Sequence, residues 1–371
     1  MMTSAALRQL GAVSIAAALA LAGGQASACT SFNLKARNGD VVYGRTLEFA
    51  LPLNSDLIVI PRHLTIEGVG PDGKAGTGLT YTTKYGAAGA NGLGLPVLVD
   101  GINEKGLAAG MLNFPGLAEF QDVSPAEARN SIASHELVTY ILTQFATLDE
   151  VKAGLPKIKV NRSIQPVFKS PVPIHVTVHD KAGNDIVVEY VGGALQITDN
   201  PTTVMTNAPT IGWDLGNLAQ YATATAQPVP DFTIKGARFA PWSTGGGMNG
   251  LPGDLSSQSR FVRAAFLVAN APAFKDAGEG LGLAFHILNQ FDIPPGAVNT
   301  AADAAAGGGV AGYETTEWTA TADLTHGIYQ IKTYGNSDIR QISLGAADLD
   351  AKAIRFIPLD QKPVVTDLSK S

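Results

Sequence analysis

Residues 23–34 read GGQASACTSFNL and hold the only cysteine of a 371-residue chain, Cys29. Upstream, Arg8 sits in a short polar start, and LGAVSIAAALALAGG (10–24) is an apolar run of the length an export signal uses. Ala26, Ser27 and Ala28 then supply the small residues that a signal peptidase reads. The run is shorter than the roughly 20 apolar residues of a spanning helix. Residues 1–28 therefore read as a cleaved signal, residues 29–371 as the mature chain beginning at Cys29, and the destination as the periplasm or the exterior. Two other fates of Cys29 stay open on these residues. A lipid-modified cysteine is also a first mature residue, but it is usually preceded at three positions by Leu, where this chain has Ala26. An isolated cysteine can also be a buried, inert thiol.

The bulk composition narrows the classes. At 45% hydrophobic and 16% charged the chain can bury a large core. A net charge of −6 with no Lys/Arg run argues against a nucleic-acid surface. The 41 glycines and 21 prolines point to many short strands and turns rather than a helical bundle. One cysteine permits no internal disulfide.

Working outward from Cys29, TSFNLKA and VVYGRTLEF read as strands with RNGD as the hairpin turn between them. The mature terminus would thus be held by a sheet, which a terminus needs if it is to do chemistry. LIVIPRHLTI reads as a further strand pair, residues 68–94 are glycine-rich, and INEKG (102–106) is a turn between strands. The segment 124–155 has helical period, with Ser124 as N-cap and Pro125 at the first helical position. PIHVTVHDKAGNDIVVEYVGG reads as a hairpin around KAGN, and helical blocks start at Asp254 and at Ala277. Alternating strands close the chain, with residues from about 355 expected as a loose tail. Strands, helices, strands, helices and strands in that order imply one layered α+β domain of antiparallel sheets.

None of the six histidines (His63, His135, His175, His179, His286, His326) stands in a setting that marks a catalytic base. His175 and His179 share a strand face, which fits surface or cross-strand packing better than a metal pair, with no Cys or acidic cluster beside them. G-x-S-x-G, P-loop and H-E-x-x-H motifs are all missing. A mature N-terminal cysteine can bring its own base, since a free α-amine titrates at roughly 7.7–8.0 and can take the thiol proton. Arg45, sixteen residues on, would lie beside that terminus if the first two strands pair, and would favour the thiolate. On spacing alone Arg45 fits an exposed strand arginine equally well.

CTSFNLKARNGDVVYGRTLEF, INEKGLAAGMLNF, VMTNAP and GLPGDLSSQSRFVRAAF stand in an order that resembles the choloylglycine hydrolase family, the bile salt hydrolases and penicillin V acylases. EWTATADLTHGIYQIKTY is similar to that family's C-terminal strands, so the likeness runs from Cys29 to about residue 346. The resemblance implies a four-layer αββα sandwich, the Ntn-hydrolase fold, and hydrolysis of a linear non-peptide amide through a thioester. It places the nucleophile at Cys29, the first arginine at Arg45, the oxyanion contributors at Asn207 and at or beside Asn113, and the second arginine at Arg260. The carboxylate near the amino group, usually Asp, falls on Glu48. Read without the family, Asn207 also fits a turn residue and Arg260 a solvated first-turn arginine.

No metal or cofactor is implied. The partner expected is a small amide with an apolar acyl group, for which Phe32, Phe49, Leu51, Phe114 and Trp213 are candidate pocket residues. Asn113 in LNF leans towards the bile salt hydrolases; penicillin V and acyl homoserine lactones remain alternative substrates. No stable membrane anchor is expected after cleavage, and the family likeness implies a homotetramer. The non-enzymatic alternative is an exported lipoprotein or binding module anchored at Cys29.

Overall fold

The Asn–Gly turn at 38–39 folds the chain back on itself, and Thr30–Lys35 pairs antiparallel with Val41–Phe49, Thr30 opposite Thr46 and Ser31 opposite Arg45. This structure, a computed structural model, describes residues 28–300 and 312–370. The export signal expected over residues 1–28 lies, apart from Ala28, outside the described residues.

The first hairpin begins a six-stranded sheet. Tyr313–Asp323 pairs with Val41–Phe49 and is followed by Ile328–Thr333 and Asn336–Ser343, while the short Val298–Asn299 strand also pairs with Tyr313–Asp323. The second sheet has eight strands in the order Ala194–Asp199, Asp185–Val191, Ile174–Asp180, Leu107–Asn113, Asp100–Asn103, Ala87–Ala90, Leu57–Ile60 and Arg355–Ile357. All of its pairings are antiparallel.

The strands of the second sheet are apolar on both faces, and alternate side chains enter different cores. Leu57, Val59, Ala108, Leu112 and Val187 pack towards the first sheet, whereas Ile58, Ile60, Leu107, Ala109, Ile186 and Val188 pack in a second cluster. Helices Leu137–Gln144 and Leu148–Gly154 cover that outer face, with Leu137, Val138, Ile141 and Val151 buried on it. Helices Ser257–Ala269 and Ala277–Leu288 cover the outer face of the first sheet. A Cβ on Gly44 would lie 3.1 Å from Leu288 Cδ1, so that glycine lets Ala277–Leu288 sit close on the strand carrying Arg45. Helices, sheet, sheet, helices is the αββα sandwich of antiparallel sheets.

Several local expectations are corrected. The helix expected over 124–155 breaks into pieces. Ser124 pairs with Glu127 to close a turn, and Ser131–Ala133 becomes a strand parallel to Lys159–Asn161, placing β-branched Ile132 in the core. Helix resumes at Leu137–Gln144, and after an extended Phe145 it restarts at Leu148, where Thr147 Oγ1 accepts from Glu150 N at 3.2 Å. Leu57–Ile60 and Thr65–Val69 are strands but do not pair with each other. A left-handed turn at His63 sends the second to Ala75–Thr82. The expected loose tail starts inside a sheet, because Arg355–Ile357 pairs with Leu57–Ile60 and Leu359 is buried beyond it.

Candidate active site

Three segments deliver the candidate residues to one point. Register places Ser31 opposite Arg45, so Cys29 and Arg45 project from adjacent strands into the space between the sheets. Ser31 also exchanges backbone hydrogen bonds with Met205 (2.8 and 2.9 Å), which zips VMTNAP onto the free edge of the first strand and brings Asn207 to Cys29. Thr206 in turn ties to the start of the Ser257–Ala269 helix, with Thr206 Oγ1 donating to Ser257 O at 3.1 Å. Arg260, one turn into that helix, therefore points inward and is fully buried rather than solvated.

The contacts at Cys29 are dense. Its nitrogen, a peptide amide here because Ala28 precedes it, donates to Asn207 Oδ1 at 2.6 Å. Its sulfur lies 3.9 Å from Arg45 Nη2. Arg260 donates to the Cys29 carbonyl, to Thr30 Oγ1 at 2.9 Å, to Asn207 Oδ1 at 2.9 Å and to Leu255 O at 3.0 Å. Asn207 Nδ2 donates to the Asn113 carbonyl at 3.0 Å, which brings Asn113 into the same constellation. Asn207 thus does more than the sequence suggests: its oxygen fixes the Cys29 nitrogen, and one of its two N–H groups has no partner among the described residues.

Glu48 departs from the expected contact. Thr46 Oγ1 donates to Glu48 Oε2 at 3.1 Å and Thr316 Oγ1 to Oε1 at 2.9 Å, and Glu48 makes no hydrogen bond to the Cys29 nitrogen. Strand alternation explains this, since Glu48 shares the helix-facing side with Thr46 while Arg45 and Leu47 face the other sheet. Thr46 still connects it to the residue next to Cys29, because Thr30 N donates to Thr46 Oγ1 at 3.3 Å.

The electrostatics divide into two buried clusters. Arg45 is held by Asp100 at 3.3 Å, by the Val99 carbonyl at 3.0 Å and by the Met111 carbonyl, with Trp318 stacked 5.3 Å away. Asp100 also accepts from Tyr43 Oη at 2.5 Å and Tyr329 Oη at 2.7 Å. Burial works against the Arg45 charge, yet Asp100 and Cys29 keep its pKa above the ordinary value. Around Arg260, burial pushes Glu48, Asp214 and Glu314 each up to about 8 against the attraction of the guanidinium. Both Glu314 oxygens are buried without a hydrogen-bond partner among the described residues.

No histidine bonds to Cys29 Sγ among the described residues. His179 is buried between Asn33, Thr177 and Asp185, and burial drives its pKa to about 3. His175 stacks on Phe114 at 4.2 Å and bonds to the Thr206 carbonyl at 3.0 Å. Both histidines are cross-strand packing, and no cluster of metal-ligating side chains occurs among the described residues.

Cys29 opens onto a cleft of about 90 Å³ whose wall is almost wholly apolar, built from Leu47, Phe49, Leu53, Val99, Met111 and Phe168 among others. Of the pocket residues expected from sequence only Phe49 lines it. Phe32 faces the helices, Phe114 is buried against His175, Trp213 is exposed on the Ile211–Leu218 helix, and Leu51 lies off the cleft. The sequence reading missed Asp100, the Thr46–Thr316 clamp and Glu314. The one available signal was an acid, Asp100, inside an otherwise apolar strand run.

The fold and its constellation define an Ntn-type sandwich hydrolase. The profile of the linear amide C–N hydrolases, choloylglycine hydrolase family, matches residues 29–356, and the chain belongs to that family of linear amide hydrolases. It is 30% identical over 334 residues to the bile salt hydrolase/transferase of Clostridium perfringens, covering 88% of this chain and 95% of that protein. Identity to the penicillin V acylase of Pectobacterium atrosepticum is 28% over 301 residues, or 75% of this chain and 73% of that one. The solved conjugated bile acid hydrolase of C. perfringens superposes with a TM-score of 0.79 at 28% identity over 92% of this chain and 99% of that one. The penicillin V acylase of Agrobacterium tumefaciens shares the fold, with a TM-score of 0.71 at 22% identity over 90% of this chain and 94% of that one.

Proposed function

We propose that the chain is exported, cut before Cys29, and acts as an N-terminal cysteine amidohydrolase on N-acyl compounds with an apolar acyl half, in the manner of the bile salt hydrolases and penicillin V acylases it resembles. The observation that carries this reading is the double grip on Cys29. Asn207 Oδ1 takes the nitrogen at 2.6 Å while Arg45 faces the sulfur at 3.9 Å, on the wall of an apolar cleft.

Cutting the Ala28–Cys29 bond turns that nitrogen into an α-amine of pKa roughly 7.7–8.0. One of its hydrogens goes to Asn207 Oδ1, and its lone pair accepts the thiol proton directly or through a water. Cys29 Sγ then attacks the amide carbon. The free Asn207 N–H and a donor at Asn113 stabilise the oxyanion. The protonated amine hands its proton to the leaving nitrogen as the C–N bond breaks, giving a thioester and the free amine product. Water, deprotonated by the same α-amine, attacks the thioester, and the thiolate leaves and regains the proton. Arg260 keeps the nucleophile's backbone and Asn207 in place, and Arg45 lowers the cost of the thiolate.

Measuring hydrolysis of glycocholate, penicillin V and a long-chain acyl homoserine lactone tests the reading. Turnover of at least one that vanishes in Cys29→Ala supports it, and full activity in that variant sinks it. Intact mass separates the fates of Cys29: a mass for residues 29–371 fits the enzyme, and an added diacylglyceryl group the anchored alternative. We further infer a homo-oligomer. The Phe232–Ile234/Ala237–Phe239 hairpin exposes Phe232 stacked on Phe239, and Trp242, shortly after it in the chain, is fully exposed, a surface suited to a second copy.

A further inference from the structure

His175 packs across strands, and what it packs against are the two segments that carry the oxyanion donors of the proposed reaction. It is buried on the strand Ile174–Asp180, whose first residue stands opposite Asn113. Its ring stacks on Phe114, the residue after Asn113, with centroids 4.2 Å apart and planes 11° from parallel. Its Nε2 lies 3.0 Å from the carbonyl of Thr206, the residue before Asn207. Those two segments are themselves joined, since Asn207 Nδ2 donates to the Asn113 carbonyl at 3.0 Å. One side chain therefore braces the joint from both partners.

A carbonyl oxygen only accepts, so the contact with Thr206 requires a proton on His175 Nε2. Nδ1 lies 3.2 Å from Glu189 Oε1, and that same oxygen accepts from the Ile211 N–H at 3.0 Å. One further proton lies between Nδ1 and Glu189, on the nitrogen or on the oxygen. Without it their lone pairs would face each other in a buried setting, an unfavourable arrangement. Glu189 thus fixes the tautomer and the orientation of the ring. Residues 206 and 211, which flank Asn207, are both tied to this one pair. The other ties nearby run from Met205 to Ser31 and from the Thr206 hydroxyl to Ser257, and neither holds the peptide that leads into Asn207. We propose that His175, oriented by Glu189, is a positioning residue whose Nε2–H fixes the Thr206–Asn207 peptide plane and so aims Asn207 at the substrate oxyanion. This rests on the amidohydrolase reading above.

Two amide side chains separate the two ring nitrogens. Counted in bonds from Cβ, the Gln amide nitrogen stands where His Nε2 stands, and the Asn amide nitrogen where Nδ1 stands. His175→Gln keeps the donor to Thr206, whereas His175→Asn keeps a partner for Glu189 alone. Each is assayed on whichever of glycocholate, penicillin V and the long-chain acyl homoserine lactone the wild type hydrolyses, with kcat taken per folded molecule from near-UV circular dichroism. His175→Asn should lose roughly 10- to 100-fold in kcat with KM within about threefold of wild type, as for an interaction made in the transition state. His175→Gln should stay within about fivefold of the wild-type kcat. His175→Phe, which keeps the stack on Phe114 without either hydrogen bond, replaces His175→Asn if that variant does not fold, and the same loss is expected. An unchanged kcat per folded molecule, a loss confined to KM, or equal losses in His175→Asn and His175→Gln overturn the positioning role and leave the amidohydrolase reading standing. No hydrolysis of any of the three by the wild type overturns that reading and the positioning role with it.

Discussion

Asn207 and Arg260 show how few side chains hold Cys29. Asn207 Oδ1 accepts from both Cys29 N and Arg260, so Asn207→Ala should lower kcat by about 100-fold or more while binding weakens much less. Single-turnover kinetics would read the two apart. Glu314 tests the electrostatics. Its carboxyl, ordinarily near 4.5, is raised to about 8 by burial against the opposing Arg260 charge. Between those pH values the unfolded chain has lost this proton and the folded chain keeps it. The folded state therefore binds more protons, and stability falls as pH rises through the window. Glu314→Gln removes that share of the slope. It should match the wild type near pH 4.5 and exceed it by roughly 1–3 kcal/mol at pH 8–9, as urea midpoints would show.

Strand and helix placement set the site at the next scale. Gly110 lies on the Leu107–Asn113 strand, and a Cβ there would sit 2.6 Å from Asp100 Oδ1 and 2.8 Å from Arg45 Nη1. Gly110→Ala must shift the Arg45–Asp100 pair without touching Cys29. A drop of roughly 10- to 100-fold in kcat/KM is expected, with the larger loss if the guanidinium moves by an ångström. By contrast, Asp276 caps Ala277–Leu288 by accepting from Glu279 N at 3.3 Å, on the far side of the first sheet. Asp276→Ala should cost about 1 kcal/mol by thermal unfolding and leave kcat unaltered.

At the scale of the whole molecule, the sandwich shuts the chemistry between two sheets and leaves the Phe232–Phe239 hairpin outside. If that hairpin joins copies, Phe232→Ser with Trp242→Ser should lower the sedimenting mass while the monomer keeps its fold. An unchanged mass would remove the hairpin from any interface. The two buried arginines are kept in different ways: Arg45 is paired with the Asp100 carboxylate, whereas Arg260 is held by carbonyl, hydroxyl and amide oxygens, with carboxyls nearby that burial keeps protonated.

Much of this was legible in the residue order. The RNGD, INEKG and KAGN turns and the helical block after Asp254 are local signals, and local backbone preference decided them. The family motifs singled out Cys29, Arg45, Asn113, Asn207 and Arg260, which converge as expected. What only the tertiary structure decided depends on which neighbour a side chain meets. Residues 131–133 left a helical pattern to pair with 159–161, because burying Ile132 and filling a ladder outweigh a weak propensity. Glu48 turned from the Cys29 nitrogen to Thr46 and Thr316, since pleat and register fix its face. Asp100 and Glu314 stand far from Cys29 in the chain. They come near Arg45 and Arg260 only because strands distant in sequence pack together, and no spacing along the chain encodes that distance.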